Sequence, residues 1–238
     1  MQITYRIDQS IFETIVGYQR GIVLGFDVHN SSSSDDLINK IREQENELRS
    51  KVNLAEILQN PHIAAWRDAY RAAGIKPANF RPSVEGLLRR ILHGDNLPTI
   101  NCIVDIGTYL SIKHLLPIGA HAVDHINEDM TLRKATGEET FKAFGTNAIE
   151  KPEKGEFIFT DGNTVMTRRW TWRQANHSII EPTTKALEFN IDALAHVSTA
   201  EIEAIAAETT QLLETYCMAN CRTVILNQKN DQLKFNYP

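Results

Sequence analysis

Apolar and polar positions alternate along this chain with two periods, and the period separates helices from strands. Residues 1–28 read as short strands around a small helix. Within them Gly21-Ile22-Val23-Leu24-Gly25-Phe26 is an apolar run bounded by glycine, as a buried strand requires. Ser31 to Ser34 break the pattern and can cap the next element. From Asp35 to Leu58, Leu37, Ile38, Ile41, Leu48, Val52, Ile57 and Leu58 recur at helical spacing between charges, which predicts a helical layer. Ile63 to Ala73 is a second helix, with Trp66 and Tyr70 on one face and Gly74 as its stop. Pro82-Ser83-Val84-Glu85 opens a third, Val84 to Leu92, ended by Gly94 and striped by Leu87, Leu88, Ile91 and Leu92.

Beyond Pro98 the pattern shortens. Ile100 to Val104 reads as a buried strand by length and branching. Asp105 to Asp124 is the least regular stretch and the richest in polar groups. Met130 to Arg133 begins a strand, and Gly137-Glu138 marks a turn. Phe157-Ile158-Phe159 and Thr164-Val165-Met166 flank Asp161-Gly162, a hairpin turn. Leu187, Phe189 and Ile191 alternate as strand residues do. Ser198 with Glu201 forms a capping box for a helix whose apolar face is Ile202, Ile205, Ala206, Leu212, Leu213 and Tyr216. Thr223 to Leu226 is a last strand. Helices and strands are segregated more than alternated, which predicts an α+β fold of layered mixed or antiparallel sheets with helices. The expected organisation is one domain over 1–238, with N-terminal strands and a helical layer at 1–60, a core at 61–195, and a C-terminal helix and strand at 196–238.

Composition narrows the chemistry. The 238 residues are 42% hydrophobic and 23% charged, enough for a sizeable core. No apolar run approaches the roughly 20 residues of a membrane helix, and no basic segment leads into an apolar one at the start. The expectation is a cytoplasmic protein with no membrane contact. Cys102, Cys217 and Cys221 lack the paired spacing of a metal site, so they are read as reduced thiols, with neither metal nor cofactor expected. A net charge of −5 argues against general attraction to nucleic acid and leaves a local basic patch as the route to a phosphate backbone. The absence of a phosphate-binding glycine loop, of H-E-x-x-H, of G-x-S-x-G and of the histidine–glycine signature of many aminoacyl-tRNA synthetases argues against an ATP-consuming ligase.

Three segments are rich in groups capable of chemistry. Phe80 to Leu92 is a capped amphipathic helix, or one that presents Arg81, Arg89 and Arg90 to phosphates. Leu97 to Gly119 carries Asp105 and Thr108, which either cap a helix or overlook a cleft. In Arg168-Arg169-Trp170-Thr171-Trp172-Arg173, strand alternation puts Trp170 and Trp172 on one face and Arg169, Thr171 and Arg173 on the other. The tryptophans are then either core residues or stacking platforms, and the arginines either a solvated face or anion ligands.

The ordered blocks Arg81-Pro82-Ser83-Val84-Glu85, Leu97-Pro98…Asn101, Val104-Asp105, Leu116-Pro117-Ile118-Gly119, Leu132-Arg133-Lys134-Ala135…Gly137-Glu138 and Arg169-Trp170-Thr171-Trp172-Arg173 resemble the central editing domain of the phenylalanyl-tRNA synthetase β subunit. The likeness runs from about Trp66 to Leu187 and fits a free-standing version of that B-three/B-four domain. The resemblance implies binding of a mischarged aminoacyl-tRNA end and hydrolysis of its ester by a positioned water, without a covalent nucleophile. Carried over, it implies His121, Thr108 and Ser178 as catalytic candidates. Arg81, Arg89, Arg90, Asp105, Trp170, Trp172, Arg173 and Thr184 become candidates for holding tRNA or an amino-acid-like group. His121 is the expected titrating group near neutral pH, with His177 and His125 ranked below it and Asp124 and Glu85 read as orienting or capping groups.

The pattern also departs from the synthetase. Gly107-Thr108 stands where the synthetase has threonine and asparagine, and His121-Ala122 where it has an aromatic residue and aspartate. Ile179 follows Ser178 where the synthetase motif has glutamate, while Thr184 keeps the later threonine. The lost glutamate bears on tyrosine specificity and on hydrolysis itself. Two alternatives therefore stand beside editing: a non-catalytic module for tRNA or an amino acid, and a hydrolase of another small ester or amide.

Overall fold

Short polar side chains set where most helices begin. In the computed structural model, which describes residues 1–237, Asp8 caps α1 (Gln9–Thr14) through Ser10 N at 3.0 Å. Ser34 caps α2 (Asp35–Lys51), and Asn60 caps α3 (Pro61–Ala72), with a proline in its first turn. Helix α4 (Ser83–Leu92) follows Pro82 without a side-chain cap. Asn101 caps α5 (Cys102–His114) by accepting from Val104 N at 3.1 Å. Ser198 and Glu201 form a reciprocal box on α6 (Thr199–Cys217). Each such cap contributes about 1 kcal/mol.

Two sheets carry the core. The first joins β2 (Gln19–Phe26), β3 (Ile118–Ala122), β10 (Ala186–Ala193) and β11 (Asn220–Leu226), antiparallel throughout, in the order β11-β2-β10-β3. The second contains β1 (Gln2–Ile7), β4 (Met130–Lys134), β7 (Phe157–Asp161), β8 (Thr164–Arg168), β9 (Arg173–Gln174) and β12 (Gln232–Asn236), in the order β12-β1-β4-β7-β8-β9. Only its β1–β4 pairing is parallel, so this sheet is mixed. A small ribbon pairs β5 (Phe141–Lys142) with β6 (Ile149–Glu150). The architecture is α+β, as the segregated pattern predicts.

The period of two along β10 divides the interior. Leu187, Phe189 and Ile191 join Val23 in a core cluster with Ile103, Ile106 and Leu110 of α5 and Ile202 of α6. The alternate residues Glu188, Asn190 and Asp192 lie in register with Leu24, Ile22 and Arg20 of β2 and face the six-stranded sheet. Arg20 marks that facing: its Nη1 donates to Tyr5 Oη on β1 at 2.9 Å, and its Cζ lies 5.2 Å from the ring centre of Phe159 on β7. Every residue of β10 is buried.

Several expectations are corrected. Ile100 to Val104 is not a strand, because Asn101 caps a helix that starts at Cys102. Helix α5 packs against α2, α6 and β3, and most of its residues are buried, so it lacks the polar stripe that distinguishes a helix from a buried strand. The helical layer read from 35 to 58 breaks at Val52, which is extended, and resumes as a 3-10 turn over Leu54–Gln59 capped by Asn53. Trp170 and Trp172 do not share a strand face. They lie in a turn between β8 and β9, in which Arg169 and Trp170 both have left-handed backbones, with φ of 47° and 67°. Strand β12, with Leu233 and Phe235 facing inward, went unforeseen. Cys102 and Cys217 are buried free thiols with sulfurs 3.4 Å apart, and Cys221 is a half-buried third.

Gly107 sets the spacing between α5 and the sheet. A Cβ there would lie 3.0 Å from Phe189 Cε1. Gly107→Val therefore overpacks this contact and is expected to cost about 1–3 kcal/mol of stability, read as a lower denaturant midpoint. An unchanged midpoint would show that α5 can move off the sheet freely.

Candidate functional site

Strand β3 lies at the edge of its sheet, and its free side makes the site. Asp192 N donates to Pro117 O at 3.0 Å and Val123 N to Ala186 O at 2.8 Å. By antiparallel alternation, Gly119 and His121 then exchange hydrogen bonds with β10, while Ile118 and Ala120 turn their N–H and C=O away from it. Side chains meet that open edge. Ser111 Oγ accepts from Ile118 N at 3.0 Å and donates to Ile118 O at 2.9 Å, and Gln174 Nε2 donates to Ala120 O at 3.0 Å. The Ala120 N–H points the same way as its carbonyl.

Two chambers adjoin along this edge. Both are lined by Ile118, Gly119, Ala120, Trp172, Arg173 and Gln174. One, of about 250 Å³, lies on the polar face of β10 and is lined by Arg20, His121, Thr167, Trp170, Asn190 and Asp192 among others. The other, of about 490 Å³, is largely apolar, with Ile103, Val104, Thr108, Ile179, Ile180 and Phe189 in its wall. Exposed Ile100 and Phe144 stand in its lining. The stretches around 105–121 and 170–178, far apart in sequence, thus meet around one cavity system.

The strained turn at Arg169–Trp170 aims the aromatic residues. It is held by Trp170 N donating to Phe157 O at 2.8 Å and by Tyr70 Oη donating to Arg169 O at 3.0 Å. Trp170 enters a cluster with Trp66 at 4.9 Å, Tyr18 at 5.2 Å and Phe157 at 5.5 Å between ring centres. Trp172 instead packs edge-on to Phe80 at 4.8 Å, and Arg169 Cζ sits 3.6 Å from the Phe80 ring centre.

The remaining sequence candidates divide by position. Thr108, Trp170, Trp172, Arg173 and His121 line a chamber. Asp105 lines neither: it accepts from Ile100 N at 3.0 Å and from Ser33 Oγ, fixing the approach to α5. Thr184 Oγ1 closes its own turn by accepting from Glu181 N at 2.9 Å. Arg89 donates to buried Glu85 at 2.8 Å and Arg81 lies 3.9 Å from it, with Arg67 completing the set; Arg90 is exposed on the same helix. His177 pairs with Asp161 at 2.7 Å, His125 is exposed, and Asp124 accepts from Lys185 N at 3.0 Å.

His121 is buried and locked. Ser178 Oγ approaches its Nδ1 at 2.7 Å and Gln174 Nε2 at 3.2 Å, while Thr167 Oγ1 lies 3.1 Å from its Nε2. The Gln174 amide nitrogen can only donate, which makes Nδ1 the acceptor and assigns the proton to Nε2. Burial, with help from the Arg20 charge and then His177, lowers its pKa to about 3. It therefore stays neutral near pH 7, contrary to the expectation that it titrates there. Ser178 is fully buried behind the ring and lines neither chamber.

Beneath the polar chamber lies a buried charge network that the sequence reading missed. Arg20 Nε donates to Asp192 Oδ1 at 2.8 Å and to Tyr18 Oη at 3.0 Å, and Tyr18 Oη also bonds Asp192. Glu188 sits beside them with neither carboxylate oxygen hydrogen-bonded, and burial, opposed by Arg20 and reinforced by Asp192, pushes its pKa up to about 8. The signal was present: polar residues alternate with apolar ones through Leu187–Asp192, in a strand with both faces covered. Among the described residues no cluster of His, Cys, Asp or Glu is arranged to hold a metal ion.

The B3/4 domain model matches residues 65–217, more than half of the chain. The chain belongs to the B3/4 domain family. Both chambers of this B3/4 protein are lined mostly from the matched span, but Arg20 of the polar chamber comes from β2, outside it. No curated protein matches the chain. Among solved structures, an N-terminal fragment of the phenylalanyl-tRNA synthetase β-subunit from Pyrococcus horikoshii is similar to it with a TM-score of 0.48 and 10% identity. That alignment covers 99% of this chain and 55% of the fragment. No helix among the described residues is long and apolar enough to cross a membrane.

The Glu188 environment gives this B3/4 protein a testable pH response. The folded carboxyl keeps its proton to about pH 8, whereas the unfolded one loses it near 4.5. The folded state thus binds more protons between those values, and this contribution to stability is lost as pH rises through them. His121 acts in the opposite sense, costing stability as pH falls from 6.5 towards about 3. Glu188→Gln removes the first contribution alone. Its denaturant midpoint is expected to gain on wild type from pH 5 to pH 8; a constant or shrinking difference would contradict the buried, protonated state.

Proposed function

We propose that the chain binds the aminoacyl end of a charged tRNA and hydrolyses its ester in trans. One observation carries the reading: an apolar and a polar chamber meet at the open edge of β3. That arrangement suits a group with an apolar body and a polar reactive head. The apolar chamber takes the amino-acid side chain, and the acyl carbon lies at the junction near Gly119, Ala120, Arg173 and Gln174. The outward Ala120 N–H is a fixed donor for the ester carbonyl, in the sense that oxyanion donors stabilise charge as it develops. His121 orients Gln174 and Thr167, and its low basicity assigns it no role as a charged acid.

The surroundings supply a route for the nucleic acid. Helix α4 contributes Ser83 to the polar chamber and Leu87 to the apolar one, and carries Arg89 and the exposed Arg90, with Arg81 just before it. Arg173 Cζ lies 5.7 Å from the Trp172 ring centre, within the lining of both chambers. Such a mixture of guanidinium and aromatic groups suits a phosphate and a stacked terminal base.

A second reading, binding without hydrolysis, is favoured by the locked, neutral His121 and the covered Ser178. Following the decay of a panel of correctly charged and mischarged tRNAs separates the two. Hydrolysis predicts faster decay of at least one species with protein than in buffer. Ala120→Leu, whose side chain enters the apolar chamber beside Phe189, is then expected to slow that decay by about tenfold or more. Equal decay with protein and buffer across the panel discards hydrolysis, and retention of charged tRNA by the same protein supports binding alone.

A further inference from the structure

The wall between the chambers contains an acceptor that the fold leaves unused. Asn190 on β10 is 9% exposed and lines the polar chamber. Its Nδ2 donates to Asp192 Oδ2 at 3.0 Å, which fixes the orientation of the carboxamide. Its Oδ1 has no hydrogen-bond partner. A buried carbonyl without a donor is destabilising, so a group that supplies one on binding recovers that cost.

A glycine stands beside this oxygen. Gly119 is the cross-strand partner of Asn190 and lines both chambers. A Cβ placed on Gly119 would have Asn190 Oδ1 at 3.6 Å as its one neighbour within 4 Å. Gly119, with its bare Cα, thus places no side chain of its own in front of the oxygen. The rings of Trp170 and Phe159 line the same chamber and can face an ammonium group. Both guanidinium groups of the same wall have carboxylate partners, Arg20 with Asp192 at 2.8 Å and Arg173 with Glu150 at 3.5 Å.

We infer that Asn190 Oδ1, over the bare backbone of Gly119, is a subsite for the free ammonium of the ligand and selects acyl groups with an unblocked amine. This rests on the aminoacyl reading above and adds to it the rejection of N-acylated and amine-free acyl groups. Asn190 is thus a specificity-determining residue, and Gly119 keeps its place vacant. Because Asn190 and the ester junction adjoin through Gly119, the amine lies one short bridge from the reacting carbon, as in an α-amino acid.

The test separates amine recognition from deacylation by using non-hydrolysable probes. Phenylalaninamide, N-acetylphenylalaninamide and 3-phenylpropanamide are titrated calorimetrically into the full chain. Wild type is expected to prefer the free amine by about tenfold over both analogues, because a site built around a donor rejects ligands that lack it. Asn190→Leu and, independently, Gly119→Ala are expected to bring the three affinities together while melting cooperatively. The second variant guards against misfolding of the first, since Gly119 lacks a left-handed backbone and can accept a methyl group. Equal binding of the three probes to wild type overturns the inference and leaves the aminoacyl reading standing. Binding of none overturns the inference as well. So does a preference that survives both substitutions.

Discussion

The arrangement depends on one buried ion pair. Arg20 and Asp192 are cross-strand neighbours on β2 and β10, with side chains 1% and 0% exposed, and Arg20 also reaches across to Tyr5 on the other sheet. A guanidinium and a carboxylate withdrawn from water are tolerated only when each is paired and the remaining donors are used. Here Tyr5 and Tyr18 supply the additional partners. The pair sits within an otherwise apolar contact between the sheets, in which Ile22 and Leu24 share a cluster with Tyr5, Leu132 and Phe159, and the polar chamber lies where that hydrocarbon gives way to charge.

From that pair the site is built outward. β10 carries polar residues towards the ion pair and apolar residues towards α5 and α6, so the adjoining edge strand β3 has a polar and an apolar side. A further strand along β3 would have consumed the outward groups of Ile118 and Ala120. Ser111 and Gln174 take part of that role with side chains, which leaves volume on either side. The left-handed turn at Arg169 and Trp170 then places one tryptophan in the core and the other at the chambers. Two adjacent non-glycine residues in that conformation cost on the order of 1–2 kcal/mol each, a strain held by the hydrogen bonds of Tyr70 and Phe157.

Much of this was legible in the sequence wherever one face of an element meets water. The capping box at Ser198 and the stripe of α3 both lie at such places. The fully covered strands β2, β7 and β10 were readable too, from short branched or aromatic runs, but two other covered segments were not. Helix α5 read as a strand because its surroundings are apolar on nearly all sides, and the tryptophan turn read as a strand because tertiary hydrogen bonds decide its backbone. Of the candidate site, the convergence of the 105–121 and 170–178 stretches was readable from motif order, while Arg20, Glu188, Asn190 and Asp192 were passed over. Their polarity has meaning only once β2, β3 and β10 are known to be adjacent, and strand order is not a local property.

The interleaving of the chain's two ends with its middle sets the order in which the protein can be made. β1, which precedes both its partners in sequence, is paired between β4 and β12, and β2 lies between β10 and β11. Neither early strand has a neighbour to pair with until synthesis has passed residue 130 or 186, and neither sheet is complete before residues 220–236 emerge. The contacts formed early are few, and loop closure over such separations is slow. β1 and β2 therefore stay unpaired until their distant partners are available, an interval in which open strand edges favour pairing with other chains.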